Sequence, residues 1–327
     1  MILKCSYCDL TGLSEEEFEL DDYNQGFWCG DCDSYTYFDP AKAHKFTLLL
    51  EMKSKLSNKA PVVSSDIKFK KQLSCFRFPG GKSKMIPIIY SKIRKEQRKQ
   101  LIGAYAGGAS AEFALLAAGV FEKLVLNDYD FGIYALYWTI KHAPFDLIYR
   151  LQSSSSPTVK DYFHAQKIIK QDYPNCNILD AAWYTLIVNR LAYSGIYKAN
   201  PLGGKNGKTS DLLSRWNPKA LIKRINEIHA LSDRITVLNE DACNVIEEYY
   251  WHPETTIFVD PPFVQKGEDL YRCYYKKQDH IDLCVLLESL HSGMPGADII
   301  VTYDNDPLIR DLYYIPETET IHRYYSI

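Results

Sequence analysis

The sequence lacks an apolar run long enough to cross a membrane. Its longest mostly apolar stretch extends from Phe113 to Phe121, well short of the roughly 20 residues that a transmembrane helix needs. The first residues also lack the basic start and following apolar stretch that mark a signal peptide. We therefore expect a cytoplasmic protein that does not associate with membranes.

Two common nucleotide-binding motifs are incomplete. The dinucleotide fingerprint G-x-G-x-x-G, if it began at Gly103, would require a glycine at the position of Tyr105, which disfavours NAD. The Gly-Gly-Lys-Ser run that starts at Gly80 would need a glycine at the position of Phe76 to form a phosphate-binding loop. The sequence therefore predicts neither an NAD site nor a phosphate-binding loop.

The nine cysteines are an odd number, which argues against a disulfide framework. Four of them form two C-x-x-C pairs, Cys5 with Cys8 and Cys29 with Cys32, separated by twenty residues. This spacing is typical of a zinc ribbon in which four thiolates surround one structural Zn²⁺. The alternative interpretation is a set of free or redox-active thiols.

Short β-branched runs alternate with helical patterns after residue 70. Strands are predicted at Leu101–Ala104, Lys123–Leu126, Arg234–Leu238, Thr255–Val259 and Asp298–Thr302. Helices are predicted at Ala109–Ala118, Phe131–Lys141, Val159–Gln171, Leu179–Leu191, Asp241–Tyr250 and Asp279–His291. This alternation favours an α/β fold with a mostly parallel sheet.

Five regions are predicted along the chain. Residues 1–40 form the zinc ribbon, 41–70 a polar linker, 71–141 and 231–327 the two parts of the α/β core, and 142–230 an inserted, mainly helical subdomain. Residues 195–210 of the insert are rich in Gly, Asn and Lys and predict a loop or hairpin.

Charge is distributed unevenly. Residues 1–40 carry a net charge of −9, residues 68–99 of +10, and residues 190–224 of +7. Two basic stretches in a mildly acidic chain favour a polyanion partner, although a solvated surface is an alternative interpretation. The acidic ribbon should be repelled by phosphate, so we expect it to stabilise the N-terminus, recruit a basic protein partner, or dock against residues 68–99.

A glycine-rich segment, Gly103 to Ala109, follows one predicted strand and opens a helix. Such a loop allows a ligand to approach the backbone, and Asp128 at the end of the next strand can accept hydrogen bonds from both ribose hydroxyls. A tight turn with a capping aspartate is the structural alternative. Phe78 and Lys82 add an aromatic platform and a cation that suit an adenosine ring or a carboxylate.

The most specific motif is Asp260-Pro261-Pro262-Phe263, directly after an apolar strand. An aromatic-ring amine is a poor nucleophile because its lone pair is delocalised. Hydrogen bonds from its N–H groups to the Asp260 carboxylate and the Pro261 carbonyl would increase the electron density on nitrogen, and Phe263 could stack on a base rotated out of the duplex. A proline-rich turn without chemistry is the alternative.

From about Leu73 to its end, the chain resembles the adenine-N6 DNA methyltransferases of the Dam type. Phe76–Lys82 and Tyr105–Ala109 are similar to the family's cofactor motifs, and Asp260–Phe263 is similar to its D-P-P-Y tetrad. The resemblance implies an S-adenosylmethionine-dependent methyltransferase fold, with Phe78, Lys82, Tyr105, Gly107, Asp128 and Asp241 binding the cofactor and Asp260, Pro261, Pro262 and Phe263 acting in catalysis. DNA contacts are expected from Arg190, Tyr197, Lys198 and Lys205.

The chain departs from the family pattern at several positions. Phe263 replaces the usual tyrosine and keeps its stacking face, and Phe78 replaces a common tryptophan. Gly103 and Ala104 stand where many members have Glu-Pro, in the loop that meets the amino group of the cofactor. The alternative functions are a methyltransferase for cytosine-N4, RNA or a protein amide, and a DNA-binding module without catalysis.

Overall fold

A computed structural model describes residues 67–70, 72–78, 80–94, 98–153, 156–313, 316 and 318–321, together with five short strands nearer the N-terminus. The chain divides into two compact units, residues 1–64 with 320–327 and residues 65–319. This division falls within the predicted linker of residues 41–70. Among the described residues, none of the helices combines the length and the apolarity that crossing a bilayer requires.

The N-terminal unit contains two small antiparallel sheets. One pairs β1 with β2, and the other has the strand order β3-β4-β5. The strands are β1 (Leu3–Lys4), β2 (Thr11–Gly12), β3 (Phe18–Leu20), β4 (Gly26–Cys29) and β5 (Tyr35–Tyr37). Cys29 is buried at the end of β4. The other three predicted zinc ligands, Cys5, Cys8 and Cys32, lie outside the described residues, so the zinc ribbon stays a prediction.

The second unit is built on a five-stranded sheet with the order β10-β9-β6-β7-β8, in which every neighbouring pair is parallel. Its strands are β6 (Gln100–Gly103), β7 (Lys123–Asn127), β8 (Ile235–Leu238), β9 (Thr255–Val259) and β10 (Asp298–Val301). All five strand predictions are confirmed to within one residue at each end, and so is the predicted α/β class.

Helices cover both faces of this sheet. They are α1 (Ile86–Lys92), α2 (Ser110–Ala117), α3 (Phe131–His142), α4 (Pro144–Ser153), α5 (Val159–Lys170), α6 (Ile178–Leu191), α7 (Thr209–Leu212), α8 (Pro218–His229), α9 (Ala242–Tyr250), α10 (Gly267–Leu270), α11 (Lys277–Ser292) and α12 (Pro307–Leu312). The six predicted helices are confirmed to within two residues at each end.

Two apolar cores lie on opposite faces of the sheet because successive strand residues point in opposite directions. Leu124 and Leu126 of β7 pack into one core, whereas Val125 packs into the other. The first core is covered by α1 to α6 and α8, and the second by α9, α11 and α12. All five strands are parallel, so their carboxyl ends meet at one edge of the sheet.

Helices α4 to α8 lie in the long connection between β7 and β8, within residues 142–230. Leu147, Tyr162, Leu186 and Leu221 from these helices belong to the same core as Phe113 of α2. The insert therefore shares its core with the sheet inside one compact unit, and its independence as a subdomain is not shown. Residues 196–208 form a loop, in agreement with the prediction.

Candidate active site

A cavity of about 490 Å³ opens at the carboxyl edge of the central sheet. It lies where β6, β7 and β9 end, the usual ligand position in open α/β sheets. The structure brings all ten predicted cofactor and catalytic residues to its walls, namely Phe78, Lys82, Tyr105, Gly107, Asp128, Asp241, Asp260, Pro261, Pro262 and Phe263. Residues that are up to 185 positions apart in the sequence thus surround one space.

The glycine-rich loop is hydrogen-bonded to Asp128, the residue after β7. The Gly107 N–H donates to Asp128 Oδ2 at 2.8 Å, and the Asp130 N–H donates to Asp128 Oδ1 at 2.9 Å. Gly107 has a φ of +47°, a backbone conformation that suits glycine. Burial raises the pKa of Asp128 to about 7; the negative charge of Asp130 adds to this shift, and the two N–H donors oppose it. Each carboxylate oxygen keeps a lone pair for a hydroxyl donor.

Asn127, the last residue of β7, joins three of the loops around the cavity. Its side chain is fully buried. Nδ2 donates to the carbonyls of Ala104 at 3.1 Å and Glu240 at 3.0 Å, while Oδ1 accepts from the Glu240 N–H at 2.9 Å. In the sequence, Asn127 directly precedes Asp128, the residue predicted to bind ribose. Its role depends on contacts with residues 23 and 113 positions away, for which the sequence carries no local signal.

Asp260 follows β9, and both of its carboxylate oxygens have a partner. Lys82 Nζ donates to Oδ2 at 2.6 Å, and Thr302 Oγ1 donates to Oδ1 at 2.7 Å. Lys82 also donates to the Gly80 carbonyl at 2.9 Å. The lysine predicted to bind cofactor therefore contacts the predicted catalytic aspartate directly. Thr302, which directly follows β10, contacts this aspartate although no sequence motif marks it.

Three aromatic rings line the side of the cavity near Phe263. Phe78 stacks on Tyr271 with ring centroids 5.7 Å apart, and Phe263 meets the same tyrosine edge-on at 5.9 Å. Gly80 has a φ of +81°, and a Cβ at this position would lie 2.6 Å from Cζ of Phe263. Glycine at position 80 therefore allows the Phe263 ring to pack directly on the Gly80 backbone.

Two neighbouring residues of α6, Asn189 and Arg190, are buried inside the protein. Asn189 pairs with the backbone of Arg77: Oδ1 accepts from the Arg77 N–H and Nδ2 donates to the Arg77 carbonyl, both at 2.8 Å. Arg190 is fully buried in α6. This burial argues against the predicted contact of Arg190 with DNA, because its guanidinium has no exposed surface to offer a phosphate.

Burial also reduces the number of positive charges that residues 190–224 expose to solvent. Arg215 and Arg224 are buried like Arg190. The positive charge that reaches solvent comes from five exposed lysines, Lys198, Lys205, Lys208, Lys219 and Lys223. Lys198 donates to the Glu268 carbonyl at 2.6 Å and lies 5.7 Å from the ring centroid of Tyr197, which is partly buried.

Comparison with known proteins identifies the family. The model of the D12 class N6 adenine-specific DNA methyltransferases matches residues 78–325, about three quarters of the chain and the whole of the cavity wall. The chain belongs to this family. The Dam-type subgroup suggested by the motifs is not resolved by this match.

Three methyltransferases of the type II class are similar to the chain at low identity. M.CviBI of Paramecium bursaria Chlorella virus NC1A is 26% identical over 182 residues, covering 56% of the chain and 66% of that protein. M.MjaIII of Methanocaldococcus jannaschii is 22% identical over 220 residues, covering 63% and 74%. M1.LlaDCHI of Lactococcus lactis subsp. cremoris is 22% identical over 252 residues, covering 72% and 83%.

As an adenine-specific DNA methyltransferase, the chain is an enzyme that uses S-adenosylmethionine and acts on DNA. The cavity fits that cofactor in size, since pockets for small molecules range from about 300 to 1,000 Å³. It also fits in chemistry, because an aromatic ring (Phe78), a glycine-rich backbone (Gly107) and a desolvated carboxyl (Asp128) share its wall.

Proposed function

We propose that the cavity binds S-adenosylmethionine and presents it to the N6 amine of an adenine rotated out of the DNA duplex. The observation that carries this proposal is the convergence of Asp128, the Gly107 loop and Asp260–Phe263 on one cavity. Asp128 accepts hydrogen bonds from the ribose hydroxyls, Phe78 packs against the cofactor, and Asp241, which caps α9 at the cavity wall, lies on the adenine side. When bound, the cofactor supplies an electrophilic methyl group on its sulfonium.

In this proposal the protein activates the amine by accepting hydrogen bonds from its N–H groups. Asp260 and the Pro261 carbonyl accept from the two N–H groups, which concentrates electron density on nitrogen. Lys82 and Thr302 fix the Asp260 carboxylate from both oxygens and leave a lone pair on each. Phe263 and Tyr271 offer ring faces on which the rotated base can stack.

The direct test of this function uses DNA of mixed sequence and cofactor labelled in its methyl group. After incubation and digestion to nucleosides, we expect the label in N6-methyladenine, and sequencing of the modified DNA then gives the recognition site. A protein that binds the labelled cofactor but places the label in N4-methylcytosine, or only in RNA, would contradict the proposed substrate.

The exposed lysines of residues 190–224 are proposed to contact DNA phosphates, with Lys205 and Lys198 as the principal contacts. Replacing either with alanine should weaken binding to all sequences alike and reduce the slope of log K against log salt by about one unit, because one counterion release is lost. Filter-binding or anisotropy titrations at several salt concentrations measure this slope.

The matched control is Lys123→Ala. Lys123 is equally exposed, but it begins β7 and so lies at the amino edge of the sheet, opposite the cavity. We expect its salt slope to equal that of the wild type. If Lys198→Ala and Lys205→Ala also had the salt slope of the wild type, the proposal that residues 190–224 contact DNA would be contradicted.

We also propose that Cys5, Cys8, Cys29 and Cys32 hold one structural Zn²⁺ in the N-terminal unit, and that this acidic unit recruits a basic protein rather than DNA. Elemental analysis of the full chain should find about one zinc per molecule. Cys29→Ser should lose the metal, since it removes one of the four thiolates. Cys176→Ser, in the other unit, should retain it. A wild-type chain without zinc after purification free of chelators would contradict the ribbon.

A further inference from the structure

Glu112 is a buried carboxyl at the cavity that the proposed mechanism does not use. It is the third residue of α2, only 3% of its surface is exposed, and it lines the cavity wall. Burial raises its pKa to about 8; the nearby Asp260 charge adds to this shift, while Lys82 and the backbone N–H groups of Ala111 and Glu112 oppose it. Glu112 forms no ion pair with any residue that the structure describes.

Gly103 makes room for this carboxyl. A Cβ at Gly103, the last residue of β6, would lie 3.2 Å from Cγ and 3.3 Å from Oε1 of Glu112. The Glu112 carboxyl therefore fills the space in which a side chain at position 103 would begin. The carboxyl in this place comes from the helix that follows the glycine-rich loop.

The other charged side chains nearby already have partners. Lys82 pairs with Asp260 at 2.6 Å, and Arg272 pairs with Asp130 at 2.9 Å. Asp128 accepts two backbone N–H groups. A buried carboxyl without a cation takes up a proton, and a ligand that supplies a positive charge favours its ionised form. The amino-acid end of S-adenosylmethionine carries an ammonium group that can do so.

We propose that Glu112 binds the α-ammonium group of the cofactor. This inference rests on the proposed cofactor site. It orients the cofactor, since Asp128 at one end of the Gly107 loop holds the ribose while Glu112, beside Lys82 and Asp260, holds the amino-acid end. The reactive methyl group then lies on the Asp260 side of the cavity.

The test compares two ligands and two proteins. The affinities of full-length wild type and Glu112→Gln are measured by calorimetry for S-adenosylhomocysteine and for its analogue without the α-amino group. Glutamine keeps the size of the side chain and removes its charge. We expect Glu112→Gln to bind S-adenosylhomocysteine at least tenfold more weakly than wild type, and both proteins to bind the deaminated analogue with affinities within a factor of two.

An equal loss of affinity for both ligands would overturn the inference, because it would show a general effect on the cavity. Unchanged affinity for S-adenosylhomocysteine would overturn it as well, while leaving the cofactor site intact. Failure of the wild type to bind S-adenosylhomocysteine would instead reject the cofactor site itself, and the role of Glu112 with it.

A second set of variants moves the carboxyl from position 112 to position 103. Gly103→Glu alone should weaken S-adenosylhomocysteine binding at least tenfold, because two carboxyl side chains compete for one space. Gly103→Glu combined with Glu112→Ala should bind within about threefold of wild type, since one carboxyl is restored to the site. The control Gly103→Ala with Glu112→Ala has space but no carboxyl, and it should stay weak. If the folded variant Gly103→Glu with Glu112→Ala bound S-adenosylhomocysteine no more tightly than this control, the inference would be overturned.

Discussion

Asp260→Asn is expected to slow methyl transfer to DNA at least 100-fold, which corresponds to about 3 kcal/mol in the activation barrier. Asparagine has nearly the same size as aspartate but only one acceptor oxygen, whereas Asp260 uses both of its oxygens, for Lys82 and for Thr302. The amide also presents N–H donors to an amine that needs an acceptor. Single-turnover rates at saturating cofactor and DNA measure the chemical step, and calorimetry with S-adenosylhomocysteine should show nearly unchanged affinity.

Asp260→Ala should be equally inactive but less stable, because it removes the carboxylate partner of Lys82, whose side chain is only 10% exposed. Breaking a buried ion pair on one side costs about 3–5 kcal/mol. Adding Lys82→Met to Asp260→Ala should restore most of the stability, measured by urea unfolding, without restoring methylation. A near wild-type methylation rate in Asp260→Asn or Asp260→Ala would remove Asp260 from catalysis.

Asn127→Ala is expected to lower the free energy of unfolding by about 3 kcal/mol and to weaken cofactor binding. The change removes a fully buried side chain and leaves the buried Ala104 carbonyl and the partly buried N–H and carbonyl of Glu240 without their partner. Each buried polar group left unsatisfied costs about 1–3 kcal/mol. Cofactor binding should suffer because the Gly107 loop and the Asp241 segment both follow backbone groups that Asn127 holds in place. Urea unfolding and calorimetry measure the two effects.

Asn239→Ala is the matched control for this prediction. The Asn239 side chain also donates to two carbonyls, those of Asp128 at 2.7 Å and Tyr129 at 3.2 Å, but it is exposed. Water can replace it, so its loss should change the free energy of unfolding by less than about 1 kcal/mol. Equal losses in the two variants would show that burial of the Asn127 contacts contributes nothing.

Local patterns were sufficient for the sheet and for the motif residues around the cavity. The run Thr255–Val259 is buried throughout as the β9 strand, as expected for a central strand of a parallel sheet. Asp260–Phe263 and Asp128 follow strands, and parallel strands bring their carboxyl ends to one edge, so their meeting in one cavity follows from the order of elements. These inferences succeed because periodicity and strand ends are encoded by neighbouring residues.

The net charge of residues 190–224 did not predict which of their basic side chains reach solvent, because burial decides this. Arg190, Arg215 and Arg224 add to the net charge of the basic stretch in the same way as Lys205 does, yet they are buried. Whether a long basic side chain faces solvent depends on which face of α6 or α8 packs against the rest of the molecule. A sum of charges along the chain contains no such information.

The sequence by itself determined the α/β class, the strand order along the chain, the methyltransferase motifs and the two C-x-x-C pairs. Only the tertiary structure decided which side chains meet: Lys82 on Asp260, Thr302 on the other oxygen of the same carboxylate, and Glu112 in the space beside Gly103. The physical reason is the separation along the chain over which each kind of interaction acts. Backbone propensity and hydrophobic period act over a few residues, whereas a hydrogen bond or a shared space joins residues brought together by packing, at separations such as the 178 positions between Lys82 and Asp260.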